Sequence, residues 1–334
     1  MRAFHKGLEV NKKFLLTTLN PTSKGTKWYD PPPENIVTDR QIGRILLQFH
    51  QVAEKIDFYT NKKNLKFIDI GTGNGILPEL VSKYCKCKLS HGIDPYEDGE
   101  HTTSWPTGTR HKLMNKIDKF LKKKYLNINN YKRNLNFEGY STSPKTIELF
   151  KNKTKWKFYK KFINELPLKQ KYNFIFAKCI DHISDWEDLF KNVSKRSEAD
   201  ATLFIKHNSF FSYNGAHRYA STFLPWGHVI LNDKEYSDYV KKFHKTRVKE
   251  MKNFFFKGLS YPRNTLDQLL DILIKNKWKV IHIEQSNKKN YQKLINYAGG
   301  QKNLLKLAKK NYPSINLSEL ISDRILIIAK KIKK

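Results

Sequence analysis

Residues 66–75 read KFIDIGTGNG, a short apolar run that passes directly into three glycines at alternate positions. Phe67, Ile68 and Ile70 favour a buried strand. Glycine enters backbone conformations closed to other residues and lets a ligand approach the main chain closely. A strand ending in such a turn, with a helix next, offers a ligand bare backbone and a helix N-terminus together. The segment therefore calls for an α/β fold with a ligand at the carboxyl edge of its first strand.

The flanking sequence carries the pattern on. In TDRQIGRILLQFHQVAEKIDF, Ile42, Ile45, Leu46, Phe49, Val52, Ala53 and Ile56 line one face of a helix, and Thr38 and Gln41 have capping-box spacing. Helices are expected over 75–84, 110–125, 185–195 and 265–275, with a short one after Ser143. In the second of these, Leu113, Ile117, Phe120 and Leu121 form the buried face. Strands are expected over 66–70, 88–94, 155–159, 172–178, 201–207, 278–284 and 324–329. Strand and helix alternate and two strands close the chain, which gives a mostly parallel sheet with a late antiparallel strand and helices on both faces. Residues 1–37 end in WYDPPPEN, whose three prolines exclude helix and central strand, and read as a lid or linker. Residues 38–334 form the main domain, with insertions near 100–150, 207–262 and 286–322. The middle insertion is rich in aromatics and His, with little periodicity. The last is basic, Asn-rich and helical in pattern.

The chain has 334 residues, enough for one large domain with insertions. No window approaches a membrane-spanning length of apolar residues, and the N-terminal residues lack a signal-peptide core, so a cytoplasmic protein without membrane contact is expected. Cys85, Cys87 and Cys179 read as reduced structural thiols. The formal net charge of +32 would attract polyanions. About ten of the 63 basic residues are Arg, however, whereas a nucleic-acid surface usually needs Arg to grip phosphates. The excess fits solvated Lys faces and a Lys/Asn-rich composition better, and nucleic acid is not the favoured partner.

The glycine spacing separates two classes of ligand. A dinucleotide turn is G-x-G-x-x-G. Here Gly71 and Gly73 fit, but Ile76 stands where the third glycine belongs, and that glycine is Gly75. Asp69, two residues before Gly71, would repel a pyrophosphate and suit a ligand bearing an ammonium group. IDIGTGNG resembles the first motif of the class I S-adenosylmethionine-dependent methyltransferases. Asp94, nineteen residues beyond Gly75 in HGIDPYED, matches that family's acid for the ribose hydroxyls. FIFAKCIDHISDWEDLF is similar to its fourth-strand region, INELP to the loop after strand three, and the closing strands to its antiparallel hairpin. The resemblance spans roughly residues 38–332. It implies a Rossmann-like fold, S-adenosyl-L-methionine as cofactor, and cofactor contacts from Asp69, Gly71, Gly73, Gly75 and Asp94. In one departure, Phe162 or Ile163 stands where the family often has an acid for the adenine amino group. Adenine would then be held by backbone and apolar packing.

Methyl transfer from a sulfonium is an in-line displacement that depends on alignment, and an alcohol acceptor also needs a general base. Asp181 and His182 follow strand four at the carboxyl edge, where open α/β folds place their sites. HNSFFSYNGAHRYASTFLPWGH, read as a loop after strand five, adds His217 as a second candidate base. Asp181, His182 and His217 are the candidate catalytic residues. His207, Tyr213, Arg218, Tyr219 and Trp226 are candidate substrate contacts, the aromatics by stacking and Arg218 as a charge clamp. His207, His217 and His228 lie ten and eleven apart, unlike a helical metal site, so no metal is expected. Were a divalent ion used, Asp181 and Asp94 would be its carboxylate partners. In WYDPPPEN, Pro33 replaces the aromatic of the D-P-P-aromatic motif that marks amino methylation of bases. The function expected is O-methylation of a small molecule or saccharide. The alternatives are an RNA or nucleobase methyltransferase, suggested by charge, and a cofactor-binding protein without catalysis.

Overall fold

The computed structural model describes residues 39–60, 64–96, 109–123, 155–178, 180–287 and 291–332. The chain enters with helix α1 (Asp39–Tyr59), strand β1 (Leu65–Ile70), α2 (Ile76–Tyr84), β2 (Cys87–Ile93) and α3 (Thr109–Lys123). β3 (Trp156–Tyr159), β4 (Tyr172–Ala177), α4 (Trp186–Lys195) and β5 (Ser197–His207) follow. Four helices come next: α5 (His217–Ala220), α6 (Gly227–Ile230), α7 (Asp233–Phe243) and α8 (Val248–Asn253), the last running into a π-turn over Phe254–Gly258. The chain returns to the sheet with α9 (Leu266–Lys275) and β6 (Trp278–Asn287). It passes through α10 (Tyr291–Tyr297), α11 (Gln301–Lys309) and α12 (Leu317–Ile321), and closes with β7 (Ser322–Lys331).

Among the described residues the sheet has seven strands in the order β3-β2-β1-β4-β5-β7-β6. β1 through β5 pair in parallel, and β7 runs antiparallel between β5 and β6. The period of two along each strand sorts its side chains into two cores. Phe67, Phe174, Phe176, Phe204 and Ile328 face α1, α2 and α3, whose Leu46, Phe49, Leu80, Val81, Leu113 and Ile117 cover them. Ile68, Ile70, Ile175, Leu203, Ile205 and Ile327 face the opposite way, under Leu189, Phe190, Leu269 and Leu273 of α4 and α9. Helices thus cover both faces, as the periodicity predicts. The order reverses between β1 and β4, because β2 and β3 lie to one side of β1 while β4 and β5 lie to the other. That reversal opens a crevice at the carboxyl ends of the central strands.

Local capping agrees with the pattern. Asp185 accepts from the Asp188 amide at the start of α4, and Thr265 and Gln268 form a capping box at the start of α9. Cys85 and Cys87 are buried and unbridged. The Thr38–Gln41 cap, the helix after Ser143, Cys179, the first 37 residues and most of the 100–150 insertion lie outside the described residues.

Two expectations are corrected. Strand five begins at Ser197 rather than 201. The stretch after it is not one loop but a series of short helices, and it does not stand alone. Phe211, Trp226, Tyr236, Met251 and Phe255 share a third core with Tyr291, Leu294, Leu304, Ile315 and Leu320 of the last insertion. Two insertions far apart in sequence therefore build one helical lobe. Their apolar residues pair with each other across the gap, which is why the middle insertion shows no clean period by itself.

Candidate active site

The glycine turn closes the carboxyl end of β1. Gly71, Gly73 and Gly75 have φ of 68°, 60° and 70°, all in the left-handed region that other residues enter only at a cost. That explains the alternate spacing. The Gly71 and Thr72 amides both donate to the Ile93 carbonyl, tying the turn to β2. A Cβ on Gly75 would lie 2.6 Å from the Trp156 ring, whereas one on Gly73 would meet nothing within 4 Å. Gly75 thus serves packing, and Gly73 keeps a space clear.

Two buried carboxyls flank this turn. Asp94 accepts from the Gly73 amide at 2.9 Å and from the Tyr96 amide at 3.0 Å. Each carboxylate oxygen keeps capacity for a further donor. Burial raises the Asp94 pKa, and the two amides pull it back. The Thr72 hydroxyl donates to Asp69 at 2.6 Å. Burial pushes the Asp69 carboxyl up to about 7, opposed by the Thr72 hydrogen bond and by Lys178, and reinforced by Asp94. A buried carboxyl held this way favours a cationic neighbour. Beyond Asp94, Tyr96 and Phe162 meet edge-to-face at 6.4 Å, both exposed, while Ile163 is buried. The nearby Glu165 side chain turns back to accept from the Phe162 amide at 2.6 Å. This end of the crevice is apolar and aromatic.

One strand over, a turn of 3-10 helix over Ile180–His182 carries Asp181 and His182 past the end of β4. α5 brings His217 to them from the helical lobe. His217 Nε2 lies 2.8 Å from Asp181 Oδ2, and His182 Nε2 lies 3.9 Å from the same oxygen. The two imidazoles are 4.9 Å apart. Asp181 is buried, while both His side chains are about one quarter exposed, at 26% and 23%. Burial alone would raise the Asp181 pKa. The His217 hydrogen bond and the charges of His182, His217 and His207 outweigh it and bring the pKa to about 2. An ionised carboxylate only accepts, so His217 donates Nε2–H to it and carries its lone pair on Nδ1. His182 Nδ1–H donates to the Gly258 carbonyl at 2.6 Å. His217 has φ 49°, a position of backbone strain for a residue with a side chain.

The sequence brings Asp181, His182 and His217 together as candidates, and here they meet. It does not signal Phe254, Gly258 or Ser260. The Phe254 ring lies against His182 at 6.1 Å, His217 at 5.8 Å and Tyr219 at 5.1 Å. The Ser260 amide donates to the Asp181 carbonyl at 2.7 Å. The run FFFKG of the π-turn is the only trace of this contact in the sequence, and π-turns of this kind often mark sites.

The candidate acceptor contacts divide. Tyr219 is half-buried beside Phe254. The Arg218 side chain lies outside the described residues. Tyr213 and Trp226 are corrected, because both are buried, packed on each other and on Tyr291, with no ring face left for stacking on an acceptor. Trp226 Nε1–H donates to the Leu320 carbonyl at 3.0 Å, pinning one insertion to the other. His207 is likewise a core residue, 1% exposed and edge-on to Trp186 at 5.4 Å. Burial brings its pKa down to about 4, with Asp181 opposing. His228 is buried and donates Nε2–H to the carbonyls of Phe210 (2.9 Å) and Ser212 (3.0 Å), which fixes the turn after β5.

A family model described as a methyltransferase domain matches residues 44–240, more than half of the chain. No curated protein matches. Solved structures of similar outline include an S-adenosylmethionine-dependent methyltransferase from Mesorhizobium loti, with 12% identity, 85% of this chain and 100% of that chain covered, and a TM-score of 0.41. Another is the magnesium protoporphyrin IX methyltransferase of Synechocystis with bound S-adenosylhomocysteine, with 13% identity, 96% and 99% covered, and a TM-score of 0.41. The turn and its two carboxyls fit the sulfonium nucleoside. Gly73 leaves backbone space, Asp94 offers acceptors for hydroxyls, and Asp69 offers a carboxyl for an ammonium. With the family model laid across β1 to α7 and this cradle at the sheet's reversal, the chain belongs to the methyltransferase domain family and is an enzyme that uses S-adenosylmethionine.

Proposed function

We propose that the protein methylates a hydroxyl of a small molecule or saccharide, and that the acceptor is activated at Asp181, His182 and His217. The observation carrying this reading is the 2.8 Å hydrogen bond from His217 Nε2–H to the buried, ionised Asp181. That bond orients the imidazole, leaves Nδ1 basic and stabilises the imidazolium formed when a proton is taken. Bound S-adenosylmethionine supplies a methyl group on a sulfonium, whose carbon–sulfur electron pair leaves with sulfur. His217 Nδ1 takes the hydroxyl proton as the oxygen–carbon bond forms. The ionised Asp181 stabilises the imidazolium that results. Phe254, over both imidazoles, limits water at the reacting end. Arg218 and Tyr219, which follow His217 in sequence, are the proposed acceptor contacts, and Asp69, Gly71, Gly73 and Asp94 the proposed cofactor contacts, with Gly75 packing the turn against Trp156.

Transfer of a labelled methyl group to a panel of sugars, phenols, amines and RNA tests the reading. A hydroxyl compound should be labelled. His217→Ala and Asp181→Asn should lower turnover by about 10²–10⁴-fold, the range for losing a general base, with cofactor affinity retained. Labelling of amines or RNA alone, or full turnover in both variants, would overturn it.

A further inference from the structure

The Asp181 cluster has a second property. One ligand atom from each of Asp181, His182 and His217 lies within 4.8 Å of the others, the only such group of three among the described residues. The orientation of His182 is what matters. Its Nδ1–H is committed to the Gly258 carbonyl, which aims Nε2 at Asp181 Oδ2, 3.9 Å away. A ring whose far nitrogen donates to a backbone carbonyl is the usual second-shell arrangement of a metal-ligating His.

Dimensions agree. A tetrahedral ion with bonds of about 2.0–2.1 Å keeps its ligand atoms about 3.3 Å apart. The observed separations from Asp181 Oδ2, 2.8 Å to His217 and 3.9 Å to His182, bracket that value. The carboxylate is buried while the imidazoles are partly exposed, so solvent reaches the cluster from the imidazole side. Two imidazoles and one carboxylate leave coordination positions for solvent or an acceptor oxygen, and the donor set suits first-row divalent ions over Mg²⁺ or Ca²⁺.

We propose that Asp181, His182 and His217 form a binding site for one divalent first-row transition ion. The sequence spacing of the His residues does not suggest it, because the pairing is made by α5 reaching across to the end of β4. The proposal concerns the same cluster as the O-methylation reading. With an ion in place, His217 gives up its hydrogen bond to Asp181, moves its proton to Nδ1 and becomes a ligand through Nε2, and the ion rather than the imidazole makes the acceptor hydroxyl acidic.

The test needs no acceptor. The full chain, stripped with a chelator, is titrated with Co²⁺ while visible absorption is followed, with Zn²⁺ as competitor. One Co²⁺ per chain should bind, with ligand-field bands that Zn²⁺ abolishes. His182→Ala and His217→Ala should each weaken Co²⁺ by about tenfold or more, and His282→Ala, on the sheet edge, should not. S-adenosylhomocysteine binding by each variant checks that it is folded. No ligand-field bands, or bands unchanged in both variants, would overturn the proposal. Should that happen while His217→Ala still abolishes transfer, the base reading stands without a metal. Should Co²⁺ bind as expected while no hydroxyl compound is labelled, the metal site stands and the acceptor reading fails.

Discussion

At the scale of single residues, the three glycines of the β1 turn do different jobs. Gly75 is wedged against Trp156 in the left-handed region, so Gly75→Ala carries both a conformational and a steric cost. The sum is roughly 2–4 kcal/mol, read by urea unfolding. Gly73 has the same backbone conformation but open space around it, so Gly73→Ala should cost only roughly 1–2 kcal/mol of stability. Its added methyl group enters the space proposed for the cofactor, so S-adenosylhomocysteine affinity should fall more than for Gly75→Ala measured at matched folded fraction. Equal affinities in the two variants would contradict this division. Asp94 has a double role of the same kind. It both presents acceptors to the crevice and holds the Gly73 amide, so the turn and the carboxylate are one unit.

At the scale of elements, the π-turn over Phe254–Gly258 brings the lobe against His182 and His217. Phe254 touches both imidazoles, and the Gly258 carbonyl fixes one of them. Phe254→Ala should therefore lower turnover by about 10–100-fold through misorientation while leaving cofactor affinity unchanged, as steady-state kinetics with calorimetry would show. How far such elements can be read from sequence follows from where their partners lie. β1, β2, β4, α4 and α9 are set by local periodicity and caps, and their boundaries fall within a residue or so of expectation. The turn with Asp69 and Asp94 is legible because its spacing is dictated by backbone conformation. Asp181, His182 and His217 are legible as chemistry next to strand ends. Phe254, Gly258 and Ser260 are not, since they reach the site only through tertiary contact. Tyr213, Trp226 and His207 mislead for the matching reason. Aromatic and His side chains serve a core as readily as a ligand, and the residues that cover Tyr213 and Trp226 lie some 65–95 positions away in sequence.

At the scale of the whole molecule, the sheet presents the glycine turn proposed to hold the cofactor, and a lobe built from two insertions brings His217 to Asp181 beyond β4. The lobe's buried histidines make it sensitive to acid. Burial brings His228 down to about 4 from an ordinary value near 6.5, so its folded-state pKa is depressed. Such a His contributes stability that is present above about 6.5 and is lost as pH falls toward 4, by up to about 3 kcal/mol. Glu319, pushed up to about 7 by burial, acts in the opposite direction over pH 4.5–7. His228→Gln should leave the protein less stable at pH 8 but flatten the loss between pH 6.5 and 4, seen as a smaller shift of Tm. An unchanged slope would show that His228 titrates normally in the folded state. The β1 turn, Asp69 and Asp94 are proposed to hold S-adenosylmethionine. Calorimetric titration of the full chain with S-adenosylmethionine, S-adenosylhomocysteine and NAD, beside Asp94→Ala, tests it most directly. The account predicts that both sulfur nucleosides bind, that NAD does not, and that Asp94→Ala weakens binding by about tenfold or more, as for loss of a hydrogen bond to a charged group. Binding of NAD in their place, or sulfur-nucleoside binding that Asp94→Ala leaves intact, would contradict it.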